Sequence, residues 1–442
     1  MATAPRVGNA ELVKMQRVFS TSGRGWPTPA GATAYAEGMG GDLRLHDKEN
    51  VRYSSVMVNL PPDDAVFRFT ERVFEPLARA DQRAWARRYL RALLTTPGKK
   101  SARRLAASVS PSPTAAQALH QFVNVSPWDW IPVREELIRW TERRVAPRAW
   151  VVDLAVLPKR GEHSCGVHRR FVAAAGRAVT CQVGVGAFLA TAADAVPVDW
   201  RLQLPGAWSK DPHRRQRARI PDDVDFRLPE QHALELVDAL TAASRITPVP
   251  VVAHLGATLQ VGALVRGLAA RDRDFVLAVP DGLRVRTARP SGHRPRREEY
   301  GPVHTARGVL DHGPAPLRTE ETARPDGHAR LAVVATALVH PVERPSVGAP
   351  QRAYRLFTVR PGQSRPPSPL WLTNMTHART EYLLGLTRLP ALTLRTTRRL
   401  KDDLGLLDFE GRSFPGWHHH MTLVSAAYAL RHTAAGLTPA DT

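Results

Sequence analysis

Near Ala149 the spacing of apolar residues along this 442-residue chain changes, and that change constrains the fold more than any other feature. Before it, apolar positions recur at three- and four-residue steps, the period of an amphipathic helix. FRFTERVFEPL, RAWARRYLRALL and AAQALHQFVNV all show it, between about Ala65 and Val145. They predict a compact helical domain, with TTPGKKSARRLAASV as a loop between the second and third of these helices. After it come AWVVDLAVL, AVTCQVGVGAFLAT and VPVDWRLQL, whose β-branched and alternating residues read as strands. A helix (EQHALELVDALTAA), a short apolar strand (VPVVAHL), a second helix (QVGALVRGLAARD) and a further strand (DFVLAVP) follow.

Three meandering strands followed by alternating helices and strands make a mixed sheet covered by helices. The expected class is α/β: an RNase H-like mixed sheet with flanking helices, an N-terminal helical domain and a mainly β insertion. Residues 1–60, rich in Gly and Pro, read as a flexible arm, and 61–147 as a helical DNA-binding domain. The first part of the core spans 148–281. Residues 282–377 are rich in Pro, Arg, Gly and His, with strand-like LAVVATALV and AYRLFTV, and form the insertion. The core resumes over 378–435, ending in GWHHHMTLVSAAYALRHTAAG, and 436–442 is a tail.

Charge narrows the partner. There are 62 Lys and Arg against 41 Asp and Glu, a formal net charge of +21. Such a surplus repels itself unless an anion neutralises it. GC-rich coding explains Arg over Lys but not the shortage of acids, so nucleic acid is the expected partner class. The cations come in runs: Lys99, Lys100, Arg103 and Arg104; Lys159, Arg160, Arg169 and Arg170; His213, Arg214, Arg215, Arg217 and Arg219; Arg294, Arg296 and Arg297; Arg395, Arg398, Arg399 and Lys401. A charge run is usually a solvated face; five of them on so basic a chain favour phosphate contact. Such contacts give affinity and position rather than sequence choice. No apolar run approaches the roughly 20 residues of a membrane span, and MATAPRVGNAELVK lacks a signal peptide's apolar core. The expectation is a cytoplasmic, nucleoid-associated protein with Cys165 and Cys181 reduced.

Several segments resemble the bacterial insertion-sequence transposases of family seven hundred and one, in the DDE group. They include RRYLRALLTTPGKKSARRLA, ALHQFVNVSPWDWIPVREEL, WVVDLAVLPKRGEHSCGVHRRF, CQVGVGAFLAT, WRLQLPGAWSKDPHRRQRARIPDDV and LGLLDFEGRSFPGWHHHMTL, and the resemblance covers roughly 65–435. It implies three carboxylates on an RNase H-like sheet holding two Mg²⁺ ions, which activate the attacking oxygen and stabilise displacement at phosphorus. It also implies double-stranded DNA as the partner and a homodimer acting on paired DNA ends.

The family's acids map poorly here. The first lies in an Asp-Asp-Thr stretch before Pro-Lys. Anchoring on Pro158-Lys159 sets Asp153 at the first Asp and Leu154 at the second, the family's ligand by analogy. His254, in VVAHLGATLQ, stands at the second acid's place, and a His is a poor Mg²⁺ ligand. Counting back from Lys401 sets Leu394 or Arg395 at the third. No cofactor is expected, with Mg²⁺ only if an acid set survives elsewhere, as Asp153 with Glu410 or Asp402. A new enzyme or scaffold in the old cleft would use Asp153, His254 and Arg395. His418, His419 and His420 read as a partly buried helix start rather than a metal tract. Asp222, Asp223 and Asp225 read as a loop or cap, Cys165 and Cys181 as a core and a loop thiol, and Ser164 lacks a nucleophile-elbow context.

Overall fold

A computed structural model describes residues 61–172, 175–256, 259–288, 302–312, 317–323, 329–342, 352–360 and 368–434. The expected arm over 1–60, Arg294, Arg296 and Arg297, and the 436–442 tail lie outside the described residues.

Five helices open the described chain: α1 (Asp63–Val73), α2 (Ala80–Thr95), α3 (Ala102–Val109), α4 (Ala115–Asn124) and α5 (Trp130–Glu142). Each of the longer ones buries the stripe its spacing sets: Phe69 and Val73 of α1, Leu90 and Leu93 of α2, Leu119 and Phe122 of α4, Val133 and Leu137 of α5. α3 corrects the expected loop. Its eight residues bury Leu105 and Ala106 and leave Arg103 and Arg104 exposed, so a charged surface hides a one-sided apolar pattern.

The sheet begins with β1 (Ala149–Pro158), β2 (His168–Val172), β3 (Arg177–Ala190) and β4 (Ala195–Leu202). β3 pairs antiparallel with the other three, and β2 closes one end of the strand order. The basic segment HRRFV of β2 carried no strand signal, because an edge strand needs no apolar face. Trp200 packs across β3 so closely that a Cβ on Gly186 would stand 2.6 Å from the indole. Two short helices, α6 (Gly206–Lys210) and α7 (Pro212–Ala218), precede α8 (Pro229–Ala243). Then β5 (Val251–His254), α9 (Val261–Ala270) and β6 (Phe275–Val279) alternate, with β1, β5 and β6 parallel. This is the mixed sheet flanked by helices that the periodicities predict.

The following segment is mainly β: β7 (Arg284–Thr287), β8 (Val303–Thr305), α10 (Ala306–His312), β9 (Leu317–Ala323), β10 (Ala329–Pro341), β11 (Tyr354–Arg360) and β12 (Leu370–Thr373). β12 pairs antiparallel with β6, so these strands continue the core sheet into one of 12 strands. α11 (Thr380–Thr387), α12 (Leu389–Asp403) and α13 (Phe414–Ala434) complete the fold. α12 lies against β1, β3, β4 and β5, and α13 wedges between β4 and the N-terminal helices.

A buried arginine locks that wedge. Arg134 of α5 donates to Asp199 Oδ1 (2.7 Å), Trp200 O (2.7 Å), Thr422 Oγ1 (2.8 Å) and His418 O (3.0 Å), joining α5, β4 and α13. Beside it His418, His419 and His420 stand in the opening turns of α13, as expected, but fully buried rather than partly so. Trp130 stacks on His418 (4.6 Å) and Trp128 on His419 (3.8 Å). Such apolar stacking suits neutral imidazoles: burial lowers His419 to about 4 and His420 to about 3.

Candidate active site

β1 and β5 run parallel with Asp153 and His254 as register partners, so both side chains stand on one face of the sheet. Imidazole Nδ1 lies 3.6 Å from Asp153 Oδ1. From the covering helix α12, Thr393 donates its hydroxyl to Asp153 Oδ2 (2.6 Å). The backbone N–H of Leu154 donates to Asp153 Oδ1 (2.8 Å). Asp153 is thus the hub, with an imidazole on one side and a hydroxyl on the other. Burial works against a charged His254, but the Asp153 carboxylate favours it and prevails, so its pKa is raised from 6.5.

This arrangement departs from the sequence expectation at two points. Asp153, not Leu154, shares a face with His254; strand alternation turns Leu154 to the other side. On α12 the side chain that meets Asp153 is the buried Thr393, whereas Leu394 is 42% exposed. Arg395 reaches instead to the carbonyl of Ala193, in the turn between β3 and β4, and does not line the Asp153 cluster. Thr393 escaped sequence reasoning because each helical step turns the chain by about 100°. One residue of counting error moves a side chain off the face.

The two Mg²⁺ ions of the resembled chemistry do not fit these residues. Mg²⁺ takes oxygen ligands and two such ions need several carboxylates. Here one carboxylate is engaged by a hydroxyl and a backbone N–H and faces an imidazole. Among the described residues no three His, Cys, Asp or Glu side chains gather where a metal could sit. Glu410 pairs with Lys99 at 3.6 Å, away from Asp153.

The basic residues sort by direction. Lys100 is buried and donates to Thr96 O. Lys159 donates to Phe409 O (2.9 Å) and Leu407 O (3.2 Å), and burial lowers it to about 8. Lys401 donates to Val156 O (3.1 Å), and Arg215 to Val224 O (2.9 Å) and Pro221 O (2.6 Å). These four pin loops and strand ends from inside. Arg103, Arg160, Arg169, Arg217, Arg398 and Arg399 are exposed, Arg399 with one nitrogen 3.3 Å from Asp194. Arg170 is half-buried, Arg104 donates to Pro97 O (2.9 Å) and Arg214 lies over Trp208. Cys181 lies on β3 and Cys165 in the turn before β2, as the sequence expectation has them, and both are buried free thiols. No helix among the described residues is long and apolar enough to cross a membrane.

The family described as DDE superfamily endonuclease matches residues 72–335, from the helical domain through most of the sheet. No curated protein matches the chain. The match takes in Asp153 and His254 and covers more than half of the sequence. With its mixed sheet, flanking helices and this match, the chain belongs to the DDE superfamily endonucleases, in their transposase-like group.

Proposed function

We propose that this protein binds double-stranded DNA and neither cuts nor joins it. The observation that carries the reading is the set of side chains meeting over the sheet: Asp153, His254 and Thr393. A carboxylate, an imidazole and a hydroxyl cannot supply the oxygen-rich, multiply negative seat that a two-metal displacement requires. DNA is the family's substrate, and the net charge of +21 and the outward arginines favour phosphate contact. Lys99, Arg103, Arg104, Arg160, Arg169, Arg170, Arg214, Arg217, Arg398 and Arg399 are the contact residues of this proposal. Lys100, Lys159, Arg215 and Lys401 support the surface from inside. The role that follows is regulatory or architectural, on the nucleoid, by a decayed or domesticated transposase relative acting alone or as a homodimer.

The test is an electrophoretic shift and a nicking assay on the same supercoiled DNA. Binding should weaken as salt rises, by about 0.9 in log K per log salt for each phosphate neutralised. Added Mg²⁺ or Mn²⁺ should produce no nicks. Nicking with either ion, abolished by Asp153→Asn, would overturn the reading.

A further inference from the structure

The β2–β3 hairpin closes one end of the sheet and carries more than a cationic edge. Its antiparallel register sets Arg169 opposite Thr180 and Phe171 opposite Ala178. Opposed residues, and residues two apart, share a face, so these four lie together on one side. Where β3 runs on past the end of β1 opens a hollow of about 460 Å³, with Arg160, Arg169, Arg177 and Glu162 among its borders and Ala178, Val179 and Thr180 in its wall; Arg177, paired with Val172, belongs to the other face of the ladder from Arg169. Arg160, Arg169 and Arg177 make no side-chain hydrogen bond or ion pair with another described residue. Phe171 is 63% exposed, more than any other large apolar side chain described. Ala178, across the ladder from it, is too small to cover the ring.

An exposed ring beside unneutralised arginines has a recognised use. Proteins that hold single strands track the phosphates with cations and stack bases on aromatic side chains. An intact duplex would engage the arginines and leave Phe171 idle, because its bases are already stacked. An unpaired nucleotide uses both. We propose that the hairpin holds an unpaired stretch of DNA, one phosphate in the Arg160–Arg169–Arg177 hollow and the adjoining base on Phe171. Glu162, also in the lining, opposes a phosphate there and is outnumbered by the three arginines. The inference rests on the DNA-binding reading and narrows it to a strand with exposed bases.

The experiment uses the full chain and two labelled probes in fluorescence anisotropy at low salt: an oligothymidylate of about 12 nucleotides and a blunt duplex of the same length. Phe171→Ala should weaken the single strand about tenfold and leave the duplex within about twofold; Phe171→Trp should restore binding. Arg169→Ala with Arg177→Ala should flatten the single-strand salt dependence by about 0.7, the share of the one phosphate that the hollow neutralises. Phe171 is exposed, so circular dichroism of the variants should match the parent. Equal loss on both probes, or none on either, overturns the proposal. So does a Phe171→Ala variant that loses self-association while keeping the single strand, which would assign this edge to a second protein chain. If the parent binds the duplex but not the single strand, the hairpin inference alone fails; binding of neither probe removes the DNA-binding reading itself.

Discussion

Replacing Arg134 by Met tests how the helical domain is held against the sheet. Arg134 is 2% exposed, and burial lowers its pKa to about 10, with Asp199 opposing the fall, so it is cationic at neutral pH. Met matches the stem but strips the donors from two backbone oxygens, Trp200 O and His418 O, and from Thr422 Oγ1. Asp199 keeps Arg201 (2.7 Å) and the Trp200 N–H (2.6 Å), so its charge is not wholly orphaned. Breaking a buried pair from one side costs about 3–5 kcal/mol, and the retained partners place this case near the lower end. Unfolding entropy of about 2 cal/mol/K per residue turns about 3 kcal/mol into a fall in Tm of about 3 °C. Scanning calorimetry or a thermal melt by circular dichroism at pH 7 reads it. Arg134→Lys should recover only part, since one ammonium cannot span α5, β4 and α13 together. A fall below about 1 °C, or full recovery by Lys, would refute the argument.

Three further outcomes follow from other contacts. His419 and His420 stay neutral in the folded chain down to about pH 4 and about pH 3, whereas both take a proton near 6.5 once unfolded. The unfolded chain therefore binds more protons in that window, and stability falls as pH drops below 6.5, by about 3 kcal/mol from His419 alone at pH 4; denaturant melts at several pH values check it. Asp153→Asn should bring the His254 titration, followed by NMR, from above 6.5 to below it, because burial then acts without the opposing carboxylate. His254 has the opposite sign: its contribution is present below 6.5 and fades as pH rises through its folded value. Gly186→Ala drives a methyl to 2.6 Å from the Trp200 ring and should cost about 1–3 kcal/mol, read as a lower urea midpoint.

Much of the fold was legible because burial imposes periodicity. β1, β3 and β4 alternate or run apolar, and α2, α4 and α13 repeat at helical steps, since each faces the core. α3 and β2 were not legible for a shared reason. Both lie at the surface with arginines among their residues, so pairing and packing by neighbours form them, not a visible apolar face. At the site, Asp153 and His254 stood out through nearby text in the chain. Their convergence depended on the β1–β5 register, which no local pattern encodes. The choice of Thr393 over Leu394 depended on the rotation of α12 about its axis. Likewise Lys159 and Lys401 look like surface cations in sequence, and only the return of distant carbonyls shows them turned inward.

The Asp153–Thr393 hydrogen bond has a consequence for how this cleft behaves without cations. Three carboxylates crowded over one sheet would push strand and helix apart until a divalent ion neutralised them. Here the hydroxyl of α12 reaches down to the single carboxylate of β1, and the neighbouring imidazole gains positive character from it. The contacts across this seam attract. Strand and helix are therefore clasped directly, side chain to side chain, across the seam.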